Sequence, residues 1–258
     1  MIDKFLKVPI LKRLIPSIYK KYIYLTKSHF KAIIVDGIIF DLDLRHFIDR
    51  RFFFYKTYEE ELLNPLRKII KDNNVDYFFD IGSAWGVYSL RLSALFPNLN
   101  IYAFDPIDKN IIRLKNSIKK NKLKNIKVFQ TAIGSSKGSV ELGATEDYSP
   151  NFKINEKNSI IRQKSKIDFL DNLFQFKKNT IILKIDTEAF ELEVLKGAFN
   201  LLNNNNCYCQ VEINPNDELN KEKIFSYFKS LGYQLISINN KNKLDYLFSN
   251  FINSNIEI

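Results

Sequence analysis

The 258-residue chain is 45% hydrophobic and 26% charged, which suits a globular protein with one sizeable core. No apolar run approaches the roughly 18 residues that a bilayer span needs, and Lys4, Lys7, Lys12 and Arg13 break every apolar stretch of the N-terminus, so neither a membrane span nor a signal peptide is expected. The net charge of +10 fits nucleic acid, anionic lipid or anionic substrates as partners and selects none of them.

Residues 2–25 interleave bases with Ile2, Phe5, Leu6, Leu11, Leu14, Ile15, Ile18, Tyr22 and Leu25, at helical spacing from Leu11 onward, with Pro9 and Pro16 limiting any one helix. The preferred reading is a basic helix that lays its apolar side on the main domain; peripheral contact with anionic lipid or a partner protein is the alternative. Asp36-Gly37 between two β-branched runs predicts a two-stranded hairpin over 32–43. A stretch rich in aromatics and arginines follows from Arg45 to Tyr58. Glu59–Ile70 then reads as an amphipathic helix with Leu62, Leu63, Leu66, Ile69 and Ile70 on its apolar side. Residues 1–70 are thus expected to be an extension packing on a core domain of residues 71–258. His29 and His46 read as surface or loop residues.

From Val75 short apolar runs alternate with helical segments. The expected strands are Val75–Ile81, Asn100–Phe104, Ile126–Ile133, Thr180–Ile185, Cys207–Ile213 and Gly232–Ile238, with helices near 87–96, 108–121, 188–203 and 217–231. Such alternation predicts a mainly parallel sheet covered on both faces. The polar stretches of 134–165 read as loops or a small hairpin. Cys207 and Cys209 lie two apart on one strand face, too constrained for an ordinary disulfide and too few for a zinc site, so buried reduced thiols and a cytoplasmic location are expected.

In a sheet of this kind ligands bind beyond the carboxyl ends of the strands. The first strand ends Asp80-Ile81-Gly82-Ser83-Ala84-Trp85-Gly86, whose glycines allow positive φ and close backbone approach. Ala84 stands where the dinucleotide pattern G-x-G-x-x-G has its second glycine, so a pyrophosphate cradle is not indicated. The second strand ends Asp105-Pro106, the fourth Asp186-Thr187-Glu188 and the fifth Glu212-Ile213-Asn214. Asp105 suits either ribose hydroxyls or the capping of the next helix. Clustered carboxylates repel one another and raise one another's pKa, so a ligand, a metal or a substrate proton must reward their gathering at one rim.

The motifs DIGSAWGVYS, YAFDP, the loop after TAIG, LKIDTEAFELEVLKGA and VEINP, in this order between about Tyr58 and Phe248, resemble the FkbM family of class I S-adenosylmethionine-dependent methyltransferases. The resemblance implies an α/β fold: a doubly wound, mainly parallel seven-stranded Rossmann-like sheet, its last, antiparallel strand supplied by Leu244–Phe248. It implies that Asp80, Gly82, Ser83 and Gly86 surround the methionine part of S-adenosylmethionine, that Asp105 with Pro106 holds the ribose, and that Thr131 and Ala132 border the adenine. Asp186 would sit beside the methyl group, with Glu188 and Glu212 as further substrate-binding or base candidates. Thr57-Tyr58-Glu59 resembles the segment that precedes the family core, which brings Glu59 towards the pocket. Ala84 stands in place of the family's Asn, Asp105 of Glu, Ala189 of Gly and Asn214 of His; the last two leave the substrate open.

The expected reaction is O-methylation of a hydroxyl on a sugar, glycan or glycolipid precursor, as in polysaccharide biosynthesis, with Asp186 first and Glu212 second as base. Mg²⁺ held by carboxylates and Asn214 is a lesser alternative, and no metal ligand is assigned. An RNA methyltransferase is disfavoured because Asp186-Thr187-Glu188-Ala189 does not match the aromatic motif of amino methylation and an acidic rim repels phosphates. A non-catalytic protein that keeps the fold is the remaining alternative. The cytoplasm, or the inner face of its membrane if the basic N-terminus docks there, is the expected location.

Overall fold

Asp36 and Gly37 adopt left-handed backbone angles, φ 52° and 75°, in the computed structural model, which describes residues 29–144, 152–154, 158–236 and 244–251 with Tyr19 and Lys21. This is the turn that lets two right-twisted strands pair without splaying. Strands β1 (Phe30–Val35) and β2 (Ile38–Asp43) form an antiparallel hairpin with Val35 opposite Ile38. Its buried face, Ile33, Val35, Ile38, Phe40 and Leu42, packs on Phe52, Trp85, Leu90 and Leu114. The aromatic stretch contains helix α1 (Phe47–Tyr55), and α2 (Glu60–Asp72) buries the five apolar residues its spacing selects. Apart from Tyr19 and Lys21, the expected N-terminal helix lies outside the described residues. Tyr19 stacks on Phe53 at 5.9 Å and meets Phe54 edge-on at 5.3 Å.

The main alternation follows: β3 (Tyr77–Ile81), α3 (Val87–Leu95), β4 (Asn100–Phe104), α4 (Asp108–Lys120) and β5 (Ile126–Phe129). The expected strand over Ile126–Ile133 is in fact two. β5 pairs with β4 in the central sheet, whereas β6 (Ala132–Ile133) leaves it. β6 joins β7 (Gly138–Ala144), β8 (Lys153–Ile154) and β9 (Ile161–Asp168) in a four-stranded arm, so the polar 134–165 region is not merely loop or a small hairpin. β7 and β9 pair from Gly138–Ile167 to Ala144–Ile161, and much of their surface is exposed or half-buried, which is why no apolar run announced them.

After the short α5 (Leu170–Leu173) come β10 (Thr180–Ile185), α6 (Glu191–Lys196), α7 (Phe199–Asn204), β11 (Asn206–Glu212), α8 (Glu218–Ser230), β12 (Gln234–Ile236) and β13 (Asp245–Ser249). The central sheet has the order β12-β13-β11-β10-β3-β4-β5. It is parallel from β11 through β5, and β13 is antiparallel to both of its neighbours. This is the doubly wound, mainly parallel seven-stranded sheet expected from the alternation and the resemblance. Cys207 and Cys209 are free and buried on β11.

The helix expected over 188–203 is divided at Gly197-Ala198. A Cβ on Gly197 would lie 1.9 Å from the Gly134 carbonyl oxygen and 2.8 Å from Phe169 Cβ, so the arm presses directly on this backbone. Overpacking against atoms that cannot swing aside is costly. Gly197→Ala is expected to lower stability by about 1–3 kcal/mol or more in urea unfolding, and unchanged stability would show that the arm is not tightly docked.

Candidate active site

The sheet reverses its winding between β3 and β10, and the crevice lies beyond their carboxyl ends. Gly82 has φ 78°, and a Cβ on it would stand 1.8 Å from the Asp186 carbonyl oxygen. Only glycine lets the two chain segments approach this closely. The Gly82 and Ser83 amides donate to Phe104 O at 3.0 and 2.9 Å, and the Asp186 amide donates to Ile81 O at 3.0 Å. Three strand ends are therefore tied together by backbone hydrogen bonds.

Above them opens a cleft of about 670 Å³. Of the residues singled out from sequence, Glu59, Gly82, Asp105, Pro106, Thr131, Ala132, Asp186, Glu188 and Glu212 line it. Asp80, Ser83 and Gly86 stand behind its wall. Asp80 is 1% exposed and accepts hydrogen bonds from Ser89 Oγ (2.5 Å) and Ser89 N (3.2 Å) at the start of α3. Ser83 Oγ is buried without a protein partner, and Gly86 (φ 85°) makes room for Leu114. His46 lies 3.9 Å from Asp43 at the start of α1, away from the cleft lining. Asn214 is exposed, and its Oδ1 accepts from Asn216 N at 3.0 Å. Among the described residues no group of three or more His, Cys, Asp or Glu could hold a metal ion.

Asp105 does two jobs. Its Oδ1 accepts from Ile107 N (2.8 Å) and Asn110 Nδ2 (3.1 Å), bracing the start of α4, and its Oδ2 accepts from Ala84 N (2.9 Å). These bonds use three of the roughly four lone-pair positions of a carboxylate. Burial, only partly offset by the bonds, pushes its pKa up to about 7. Beside it the Pro106 carbonyl accepts from Gln163 and Ser165, which docks the arm against this corner of the cleft.

Two rows of polar side chains cross one face of the sheet. In register below the rim lie Asp80, Lys184 and Gln210, exposed by 1%, 5% and 1%. At the rim stand Asp186 and the paired Glu212 and Asp245. Lys184 Nζ is 3.1 Å from Asp186 Oδ2 and 4.9 Å from the centre of the Tyr88 ring. The Tyr88 hydroxyl in turn donates to Glu59 Oε2 at 2.8 Å. Burial opposes the charge on Lys184, but Asp186, Asp80 and Glu59 more than compensate and keep it protonated. Glu212 is raised well above the carboxylate range by burial, by the Asp186 and Asp245 charges and by its hydrogen bond to Asp186, so it carries a proton at neutral pH. Burial and the charges of Glu59 and Asp186 push Asp245 up to about 6 against the pull of Lys184.

Lys184, Tyr88 and Asp245 were not singled out from sequence as site residues. A lone lysine inside the apolar run Thr180–Ile185 was a usable signal; Asp245 gave none, because its place opposite Glu212 follows from strand order. Glu191 Oε1 holds the turn after Asp186, accepting from Thr187 N, Thr187 Oγ1 and Ala189 N at 3.3, 3.2 and 3.0 Å. That turn places Glu188 (φ 56°) and Ala189 (φ 75°) in left-handed backbone, where the family's glycine would sit without strain.

Asp105, Glu212 and Asp245 all bind protons more tightly when folded than unfolded. Their contribution is therefore complete at low pH and lost as pH rises through the raised values. Stability of the ligand-free protein is expected to fall between about pH 5 and about pH 8. Glu212→Gln should flatten that slope in chemical denaturation, and a slope unchanged by it would contradict the protonated state of Glu212.

Over residues 95–235, more than half of the chain, the sequence matches the family model of the methyltransferase FkbM domain. No curated protein matches it in sequence. Solved structures similar to it include Trm5b from Pyrococcus abyssi, at 15% identity and TM-score 0.46, covering 86% of this chain and 54% of that one. TYW2 from M. jannaschii, in complex with AdoMet, is similar at 14% identity and TM-score 0.43 over 86% and 84% of the two chains. A putative transferase from Pyrococcus horikoshii is similar at 11% identity and TM-score 0.48 over 94% and 84%. The chain thus spans about half the length of the Pyrococcus abyssi protein. With the family match covering β4 through β12, the chain belongs to the FkbM family of S-adenosylmethionine-dependent methyltransferases.

Proposed function

We propose that this enzyme transfers the methyl group of S-adenosylmethionine to a hydroxyl of a sugar, glycan or glycolipid precursor, with residues 71–258 as the catalytic unit and 1–70 as an extension packed on it. The observation that carries this reading is the acidic cleft. Eight carboxyl groups line it, and Arg51 is the one cation among the described lining residues. Such a donor set fits a cofactor bearing a sulfonium and an ammonium, and it fits hydroxyl groups, which donate to carboxylates. It repels the phosphates of an RNA acceptor.

S-adenosylmethionine, when bound, supplies an electrophilic methyl group whose transfer leaves a neutral thioether. Asp105 would receive a ribose hydroxyl on its remaining lone pair. Ile107, Ile133 and Leu142, which also line the cleft, would flank the adenine beside Thr131 and Ala132. Asp186 would take the proton of the acceptor hydroxyl as the oxygen bonds to the methyl carbon. Protonated Glu212 beside it would stay a hydrogen-bond donor and leave Asp186 as the acceptor of that proton. At the mouth, Phe47 is 61% exposed with the Arg51 guanidinium 5.7 Å above its ring. An exposed aromatic face beside a hydrogen-bonding fork suits the C–H face and hydroxyls of a sugar ring. No helix among the described residues is long and apolar enough to cross a membrane.

Two variants separate cofactor binding from chemistry. Asp105→Ala should abolish the thermal shift produced by S-adenosylmethionine. Asp186→Asn should keep that shift while turnover on a hydroxyl acceptor, followed by S-adenosylhomocysteine release, falls about 10²–10⁴-fold. Products methylated on nitrogen, or full turnover by Asp186→Asn, would overturn the assignment.

A further inference from the structure

We infer that Lys184 is the positioning residue of this site: its buried ammonium, 3.1 Å from Asp186 Oδ2, anchors the Asp186 carboxylate beneath the acceptor. The inference rests on the reading of Asp186 as the proton acceptor. Among the described residues Lys184 is the one lysine that is buried, and it sits in a strand whose other members are Thr180, Ile181, Ile182, Leu183 and Ile185. A leucine there would serve packing better, since an ammonium taken out of water must be compensated by counter-charge.

The compensation comes from every element packed around it. Asp186 lies on its own strand, with Asp80 on β3, Glu212 on β11, Asp245 on β13 and Glu59 before α2, while Tyr88 of α3 offers its ring face. The contact is directional as well as electrostatic. Nζ reaches Asp186 Oδ2 at 3.1 Å and leaves Oδ1 of the same carboxylate for other partners. Glu212 is hydrogen-bonded to Asp186 from the neighbouring strand end. Asp186 is thus held from below by the Lys184 ammonium and from the side by Glu212.

Lys184→Met tests this in two independent ways. Without the ammonium the surrounding carboxyls hold protons more tightly in the folded state, and that added stability is lost as pH rises. The deficit in melting temperature relative to wild type should therefore be small near about pH 5 and at least about twofold larger near about pH 8. Folding only at low pH is the same outcome in extreme form. A purely packing role predicts one deficit at all pH values and would overturn the inference. The double variant Lys184→Met/Asp186→Asn, which removes both charges, should recover stability at the higher pH; absence of recovery would also overturn it. In the second arm, Lys184→Met should bind S-adenosylhomocysteine within a few-fold of wild type while the rising limb of its pH–rate profile moves to higher pH. An unmoved limb would count against it. Should wild type methylate no hydroxyl acceptor, the proposed reaction fails, while the stability arm still decides the role of Lys184.

Discussion

Carboxyl groups gathered on one face of a sheet repel one another, and in this protein a buried ammonium holds them together. Lys184 lies under Asp186 and level with Asp80, near enough to Glu59 and Asp245 to act on their charges. Its cost of burial is tolerable only because the acids surround it, and their crowding is tolerable only because it is there. Glu212 is nonetheless pushed above the carboxylate range, first by burial and then by the Asp186 and Asp245 charges, which Lys184 offsets only in part.

A second constraint is steric. The crevice exists because β3 and β10 leave the sheet in opposite winding directions while their backbones touch at Gly82 and Asp186. The arm β6–β9 is held by comparable contacts. Gly197 meets the Gly134 carbonyl, and Gln163 and Ser165 donate to the Pro106 carbonyl. On the other side the hairpin is clamped by Arg113, which donates to Asp41 O at 2.7 and 3.0 Å and to Asp49 at 2.6 Å, and lies 4.1 Å over Trp85. Trp85, in the loop after β3, is therefore the floor on which the N-terminal hairpin rests, packed against Phe40 and Phe52.

The sequence was legible where one side-chain pattern answers to one local structure. Asp36-Gly37 can make few things but a tight hairpin turn, and the apolar stripe of α2 appears residue for residue. Asp105 could be read as ribose ligand or helix brace; the structure shows the brace, in its bonds to Ile107 and Asn110, and leaves a lone pair for the other task. The arm was illegible because its two inner strands, β7 and β9, are exposed or half-buried over much of their length, where burial contributes little to the choice of residue. The break at Gly197 was illegible because its cause, the Gly134 carbonyl, lies more than sixty residues away in the chain.

What the sequence by itself determined was the class of fold, the family and the set of strand-end acids. Alternating apolar runs, glycine turns and carboxylates at the ends of β3, β4, β10 and β11 are local features, and they survive in one dimension. What only the tertiary structure decided is the electrical state of that set. The rise in the pKa of Glu212 comes from burial and from Asp186 and Asp245 beside it, against the pull of Lys184, and those neighbours are brought together by strand order and register. A pKa is a property of surroundings, and surroundings are assembled by the fold. The chain could announce its acids; the antiparallel return of β13 and the buried lysine of β10 supply their neighbours.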